Sequence, residues 1–166
     1  MDNQPKPSNL PADLLINPDG TATFTLNEEG DVLGTYKGTF VFKCFLNPLE
    51  VLAAGKVYRE LIGSNPQDAT DTERFMAFAL SQLSKRIIKS PPFWNTGEAM
   101  TGNIPDVNVL SLILDRAVTA ELAYKERLKI KREEALETAK IAATAIQESF
   151  SGVAKEPEEA PKRKKK

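Results

Sequence analysis

The sequence predicts an α+β, mostly helical protein: a small N-terminal antiparallel sheet, two medium helices and one long C-terminal helix. Three stretches predict it. Tyr36–Leu46 (YKGTFVFKCFL) has the period of a strand, with Phe40, Phe42 and Cys44 on one side and Thr39, Val41, Lys43 and Phe45 on the other. From Phe75, the run FMAFALSQLSKRIIKSPPFW repeats Phe75, Ala79, Leu83 and Ile87 every fourth residue, widened by Met76, Leu80 and Ile88. That spacing puts a broad apolar stripe on one face of a helix. From Pro105-Asp106 to about Phe150 no proline or glycine interrupts the chain, which reads as one helix on the order of 65 Å long if unbroken.

In chain order, residues 1–20 read as a disordered arm, with Pro5, Pro7, Pro11 and Pro18 among polar residues and Leu14–Ile16 able to dock locally. Thr21–Leu26 (TATFTL) is a short strand, Asn27–Gly30 a turn, and the strand at Tyr36 completes a hairpin or small sheet. Two strands are marginal in water, so this sheet must pack on helices. Asn47-Pro48 starts the first helix with a capping side chain and a proline suited to the first helical position; Gly63 ends it. Ser64–Asp71 is a loop that caps the next helix through Asp68 or Thr70. That helix carries Lys85, Arg86 and Lys89 in its last turns, where cations suit the dipole, and stops at Pro91-Pro92. Asn95–Asn103 is a polar, glycine-bearing loop. Residues 21–125 thus form a sheet-plus-helix core domain, 126–152 a projecting helix and 153–166 a disordered charged tail.

The long helix changes character along its length. Val107, Leu110, Leu114, Ala117 and Tyr124 have a spacing suited to packing on the core. After Leu128 and KIKREE, the residues Leu136, Ala139, Ala143, Ile146 and Phe150 recur at threes and fours. This is the thin stripe of a coiled-coil seam, which covers itself by pairing with a partner helix or stays a frayed, solvated extension.

Composition narrows the function. A net charge of -1 argues against a nucleic-acid binder overall, since such domains carry a basic face. The single cysteine, Cys44, excludes an intramolecular disulfide and fits a reducing cytoplasm. The first residues lack a basic start followed by an apolar run, and charges break every candidate membrane segment, so the reading is a soluble protein of the cell interior. Histidine is absent, which removes the commonest acid–base group and metal ligand.

No phosphate loop, metal-ligand cluster or nucleophile motif stands in the sequence, so catalytic, cofactor-binding and metal residues are all expected to be none. Cys44 sits in an apolar strand, as a structural thiol does. Asp115 and Glu121 are spaced too awkwardly to pair on one helix face, and Tyr58-Arg59 reads as helix-surface packing. The Lys162–Lys166 end could touch phosphate, but Glu156, Glu158 and Glu159 offset it. These residues point away from an enzyme.

The order of these elements is itself informative. A Phe-rich strand, a helix opened by Asn47-Pro48 and carrying Tyr58-Arg59, a helix ending in Pro91-Pro92-Phe93-Trp94, and a helix opened by Pro105-Asp106-Val107 follow one another. Over about residues 34 to 125 this resembles the tail assembly chaperones of long-tailed bacteriophages, in which a proline–aromatic–tryptophan element often precedes a short acidic helix start. The resemblance implies a protein of the host cytoplasm that binds the tape measure protein, keeps its apolar helices soluble and helps recruit tail tube protein. The group is often made in two lengths by frameshifting, and the lysine codons behind Arg163–Lys166 can form a slippery run; a plain solubilising tail is the other reading. On either, the partner-binding residues expected are Phe93 and Trp94, with Leu136, Ala139, Ala143, Ile146 and Phe150 as a second contact or a homo-oligomer seam. For Trp94 alone, burial in the core is the stronger reading. A structural virion subunit, such as a head–tail or minor tail component, is the alternative from another class.

Overall fold

The computed structural model describes residues 10–32, 34–63, 65–94 and 106–151, with side chains of the last helix to Gln147. The elements run β1 (Leu14–Ile16), β2 (Thr21–Gly30), β3 (Gly34–Lys43), α1 (Pro48–Ile62), α2 (Asp71–Arg86), β4 (Ile87–Lys89) and α3 (Val107–Ser151). The α+β class read from the sequence holds. The chain divides into two compact units, Met1–Glu126 and Arg127–Lys166, so α3 contributes residues to both.

The sheet of the first unit is antiparallel, ordered β1-β2-β3-β4. Its spine is the β2–β3 hairpin, in register from Thr21 opposite Lys43 to Gly30 opposite Gly34. Gly34 sits at φ 78, a left-handed conformation that a side chain would strain. The period of two sends Phe24, Phe40, Phe42 and Cys44 fully inward, as the sequence predicts for the last three. The three phenylalanine rings stack with centroids 5.9–6.2 Å apart. Phe45, across the strand, instead stacks on Tyr124 at 5.9 Å.

Two strands depart from the sequence reading. Leu14–Ile16, assigned to the disordered arm, form β1, pairing Leu14 with Phe24 and Ile16 with Ala22 and burying both apolar side chains. Ile87–Lys89, counted into the helix stripe, form β4 against Val41 and Phe42. The helix stops at Arg86 because two β-branched residues and the approaching Pro91 favour extended backbone. A three-residue strand takes its hydrogen bonds from a distant partner, so its own sequence carries little trace of it.

The helix starts are local and legible. Asn47 caps α1 and Thr70 caps α2, each in a capping box with the glutamate three residues on, Glu50 and Glu73. Asp68, the other candidate cap, instead accepts a hydrogen bond from Asn65. Gly63 ends α1 at φ 78. α1 packs on α2, burying Ala54 and Val57, while Ala79 and Leu83 of α2 join the sheet core.

Within the first unit, α3 closes that core with Val109, Leu110, Ile113, Leu114, Ala117 and Ala120. The predicted stripe shares Leu110, Leu114 and Ala117 with this face, whereas Val107 and Tyr124 are only half-buried. The helix is apolar widely enough for periodicity to place its face within about a residue and no better. In the second unit, every described side chain from Lys131 to Gln147 is exposed. The predicted loop at 95–103 and tail at 153–166 lie outside the described residues.

One position locks the sheet to the chain that follows it. A Cβ on Gly38 would lie 2.3 Å from Cβ of Pro91, closer than real contacts allow, and Pro91 is buried and rigid. Gly38→Ala is therefore expected to destabilise the domain by about 1–3 kcal/mol through overpacking, measurable as a lower midpoint in urea.

Candidate interaction surface

Pro91-Pro92-Phe93-Trp94 leaves β4 in a turn closed by the Trp94 amide donating to the Pro91 carbonyl at 3.0 Å. Phe93 meets Tyr36 edge-on at 5.3 Å and Phe40 at 6.0 Å; Trp94 meets Phe40 edge-on at 5.7 Å. Trp94 keeps only 5% of its surface exposed and Phe93 is half-buried. Burial in the core, the stronger reading of Trp94, is what the structure shows for that ring, while Phe93 keeps part of its surface in water. They fold back and close one end of the core, because two large apolar rings on a stiff bend find more area to bury inside than out.

The polar groups that could suggest chemistry are ties between elements. The buried Asp106 carboxylate accepts from the Val32 amide at 2.9 Å and the Tyr36 hydroxyl at 2.7 Å, fastening the hairpin tip to the start of α3. Burial, then the hydrogen bond to Asp106 and its charge, push Tyr36 up to about 12, so the phenol stays protonated. Sequence reasoning missed this contact; its one signal was an aspartate next to a helix start, which reads equally as a cap. Arg86 donates to the Cys44 carbonyl at 3.4 Å and to the Glu121 carboxylate, which also accepts from Lys125. Arg116 holds both Asp13 oxygens at 3.1 Å, pairs with Asp115 at 2.9 Å and lies 5.8 Å over the Phe24 ring. Asp115 and Glu121 are thus each in an ion pair, with different partners.

Among the described residues no cluster of three or more potential ligands could hold a metal ion. A shallow open cleft lies where α1 ends and α2 begins, lined by Leu61, Ile62, Asn65, Asp68, Ala69 and Glu73. Its acidic groups are already engaged, Glu73 with the Thr70 cap and Asp68 with Asn65.

Several large apolar side chains lie exposed on the helices. On α1, Leu49 is 77% exposed, Leu52 69% and Val51 53%. Leu49 and Leu52 are three residues apart and hence neighbours on the helix surface. The sequence showed these residues to be apolar but not which way α1 faces, since both of its sides carry them. In the second unit, Leu136 and Ile146 of the predicted seam are more than half exposed, and Ala139 and Ala143 are exposed with them. The side chain of Phe150 lies outside the described residues.

No helix among the described residues is long and apolar enough to cross a membrane. No protein-family model, curated protein or solved structure matches this chain.

Proposed function

We propose that the protein is a non-enzymatic assembly chaperone of long-tailed bacteriophages, acting in the host cytoplasm, that binds the tape measure protein and assists tail tube assembly. The exposed Leu49, Val51 and Leu52 on α1 carry this reading. Leu49 and Leu52, at helical spacing with Val51 beside them, suit the apolar face of a client helix, the form in which a tape measure protein would present itself before assembly. The patch stands on a rigid support: α1 is capped at both ends, backed by α2, and tied to the end of β3 by the Lys43–Glu50 ion pair. On this reading the main contact is the outer face of α1 rather than Phe93 and Trp94.

Co-expression with the long helical protein encoded downstream, followed by size-exclusion chromatography, tests it. The expected result is co-elution of a client that is insoluble when expressed alone. Replacing Leu49 and Leu52 together by serine is expected to abolish co-elution while leaving the circular dichroism spectrum unchanged, because surface changes of this kind cost within about 0.5 kcal/mol each. Separate elution, with this protein found at fixed stoichiometry in purified particles, would replace the chaperone by a structural virion subunit.

A further inference from the structure

The second unit carries its charges in blocks. Lys129, Lys131 and Arg132 form a cationic run; Glu133, Glu134 and Glu137 come next, and then Lys140. Within the helix the acids gain little: Lys140 approaches Glu137 only to 3.9 Å, with both side chains mostly in water. The apolar stripe of Leu136, Ala139, Ala143 and Ile146 runs through this acidic stretch and beyond it, exposed throughout. At threes and fours these residues occupy the two inward positions of a heptad, which places Glu133 and Lys140 on the same flanking position, seven residues apart.

We propose that Arg127–Ser151 pairs with the same helix of a second copy, antiparallel, through Leu136, Ala139, Ala143 and Ile146. The charges choose both the occupant and its direction. A parallel pair would lay cationic run on cationic run and acid on acid, which costs energy at each position. An antiparallel pair with its two-fold axis near Glu137–Thr138 sets Lys140 of each copy beside Glu133 of the other, on the flank where such pairs meet. It also separates the two cationic runs by roughly 20–25 Å along the axis, well beyond the screening length of about 8 Å at physiological salt. In that register Leu136 lies over Ala139 of the second copy, while Arg132 and Lys129 lie over Ala143 and Ile146, so the central layers pair a large side chain with a small one and the aliphatic stems of the two cations cover the outer layers. The closed two-fold makes each ion pair occur twice and leaves no open end for further growth. This pairing is independent of the chaperone reading, whose contact is on α1.

The full-length protein tests it. Light scattering on the eluting peak is expected to give twice the 18.3 kDa chain mass. Ala143→Glu places a charge in the seam and is expected to weaken dimerisation at least tenfold; Ala143 is exposed within its unit, so the circular dichroism spectrum should persist. Lys140→Glu alone should weaken the dimer by roughly fivefold, and the double variant Lys140→Glu with Glu133→Lys should restore it. Direction is read by oxidation: R132C mixed with A143C should form a mixed disulfide, and neither variant alone should cross-link to itself. Cys44 is fully buried and does not compete. A monomer of 18.3 kDa would overturn the proposal, including one whose seam is covered only when a client is co-expressed. Self-cross-linking of R132C, or a dimer that forms none of these disulfides, would overturn the antiparallel pairing.

Discussion

Trp94→Ala is expected to cost about 3–5 kcal/mol of folding stability, the usual range for removing a buried large aromatic. Against a typical total of about 5–15 kcal/mol, that is enough to leave much of the protein unfolded near its growth temperature. The ring is 5% exposed, sits edge-on to Phe40 and is held by a turn that Pro91 stiffens, so the site has little freedom to collapse into the space left behind. Urea unfolding followed by circular dichroism would show it as a lower midpoint. Phe93→Ala, at a half-buried position, should cost clearly less. A Trp94→Ala protein with wild-type stability and lost client binding would mean that the ring is a contact residue after all.

Glu121→Ala is the second large effect, at about 3 kcal/mol. Arg86 is 93% removed from solvent by its 7% exposure, and its Nε has no hydrogen-bond partner, so the guanidinium relies on Glu121 and the Cys44 carbonyl. Removing one member of such a pair leaves an uncompensated buried charge. The lower end of the range applies because the Glu121 side chain keeps 22% of its surface in water. The pair also sets a pH dependence. Burial alone would raise the Glu121 carboxyl above its ordinary 4.5, but hydrogen bonds from Lys125 and Arg86, and their charges, outweigh it and hold it lower. A carboxylate depressed in the folded state stabilises above its unfolded pKa and loses that contribution as pH falls through the folded one. The wild type should therefore lose stability on acidification below the ordinary carboxylate range more steeply than Glu121→Ala does. Equal slopes in urea midpoint against pH would show that the ion pair contributes nothing to folding.

What was legible in the sequence was what is decided locally. Asn47-Pro48, Gly63 and Thr70 mark helix ends because capping uses residues within a turn of one another. Phe40, Phe42 and Cys44 were assigned to one face because strand period is fixed by backbone geometry. What escaped depends on residues far apart. β1 and β4 exist because β2 and β3 offer them edges, and Ile87 fits a helix period equally well until Phe42 claims it. Asp106 could not be joined to Val32 and Tyr36 by any pattern, since more than seventy residues separate the hairpin tip from it. The candidate surface was the least legible part. Apolar spacing reveals that a face needs covering, yet Trp94 is covered by its own chain and Leu49 and Leu52 are not, a distinction that only the packed structure draws.

The stacked Phe24, Phe40 and Phe42 have a consequence for synthesis. They leave the ribosome more than sixty residues ahead of the α3 residues that roof them, Val109 to Ala120. At about 5–20 residues per second the hairpin waits several seconds with its aromatic face open. During that interval the nascent chain is itself a sticky surface in need of shelter, and α2, which emerges in between and packs on the sheet core, is the first helix able to provide it.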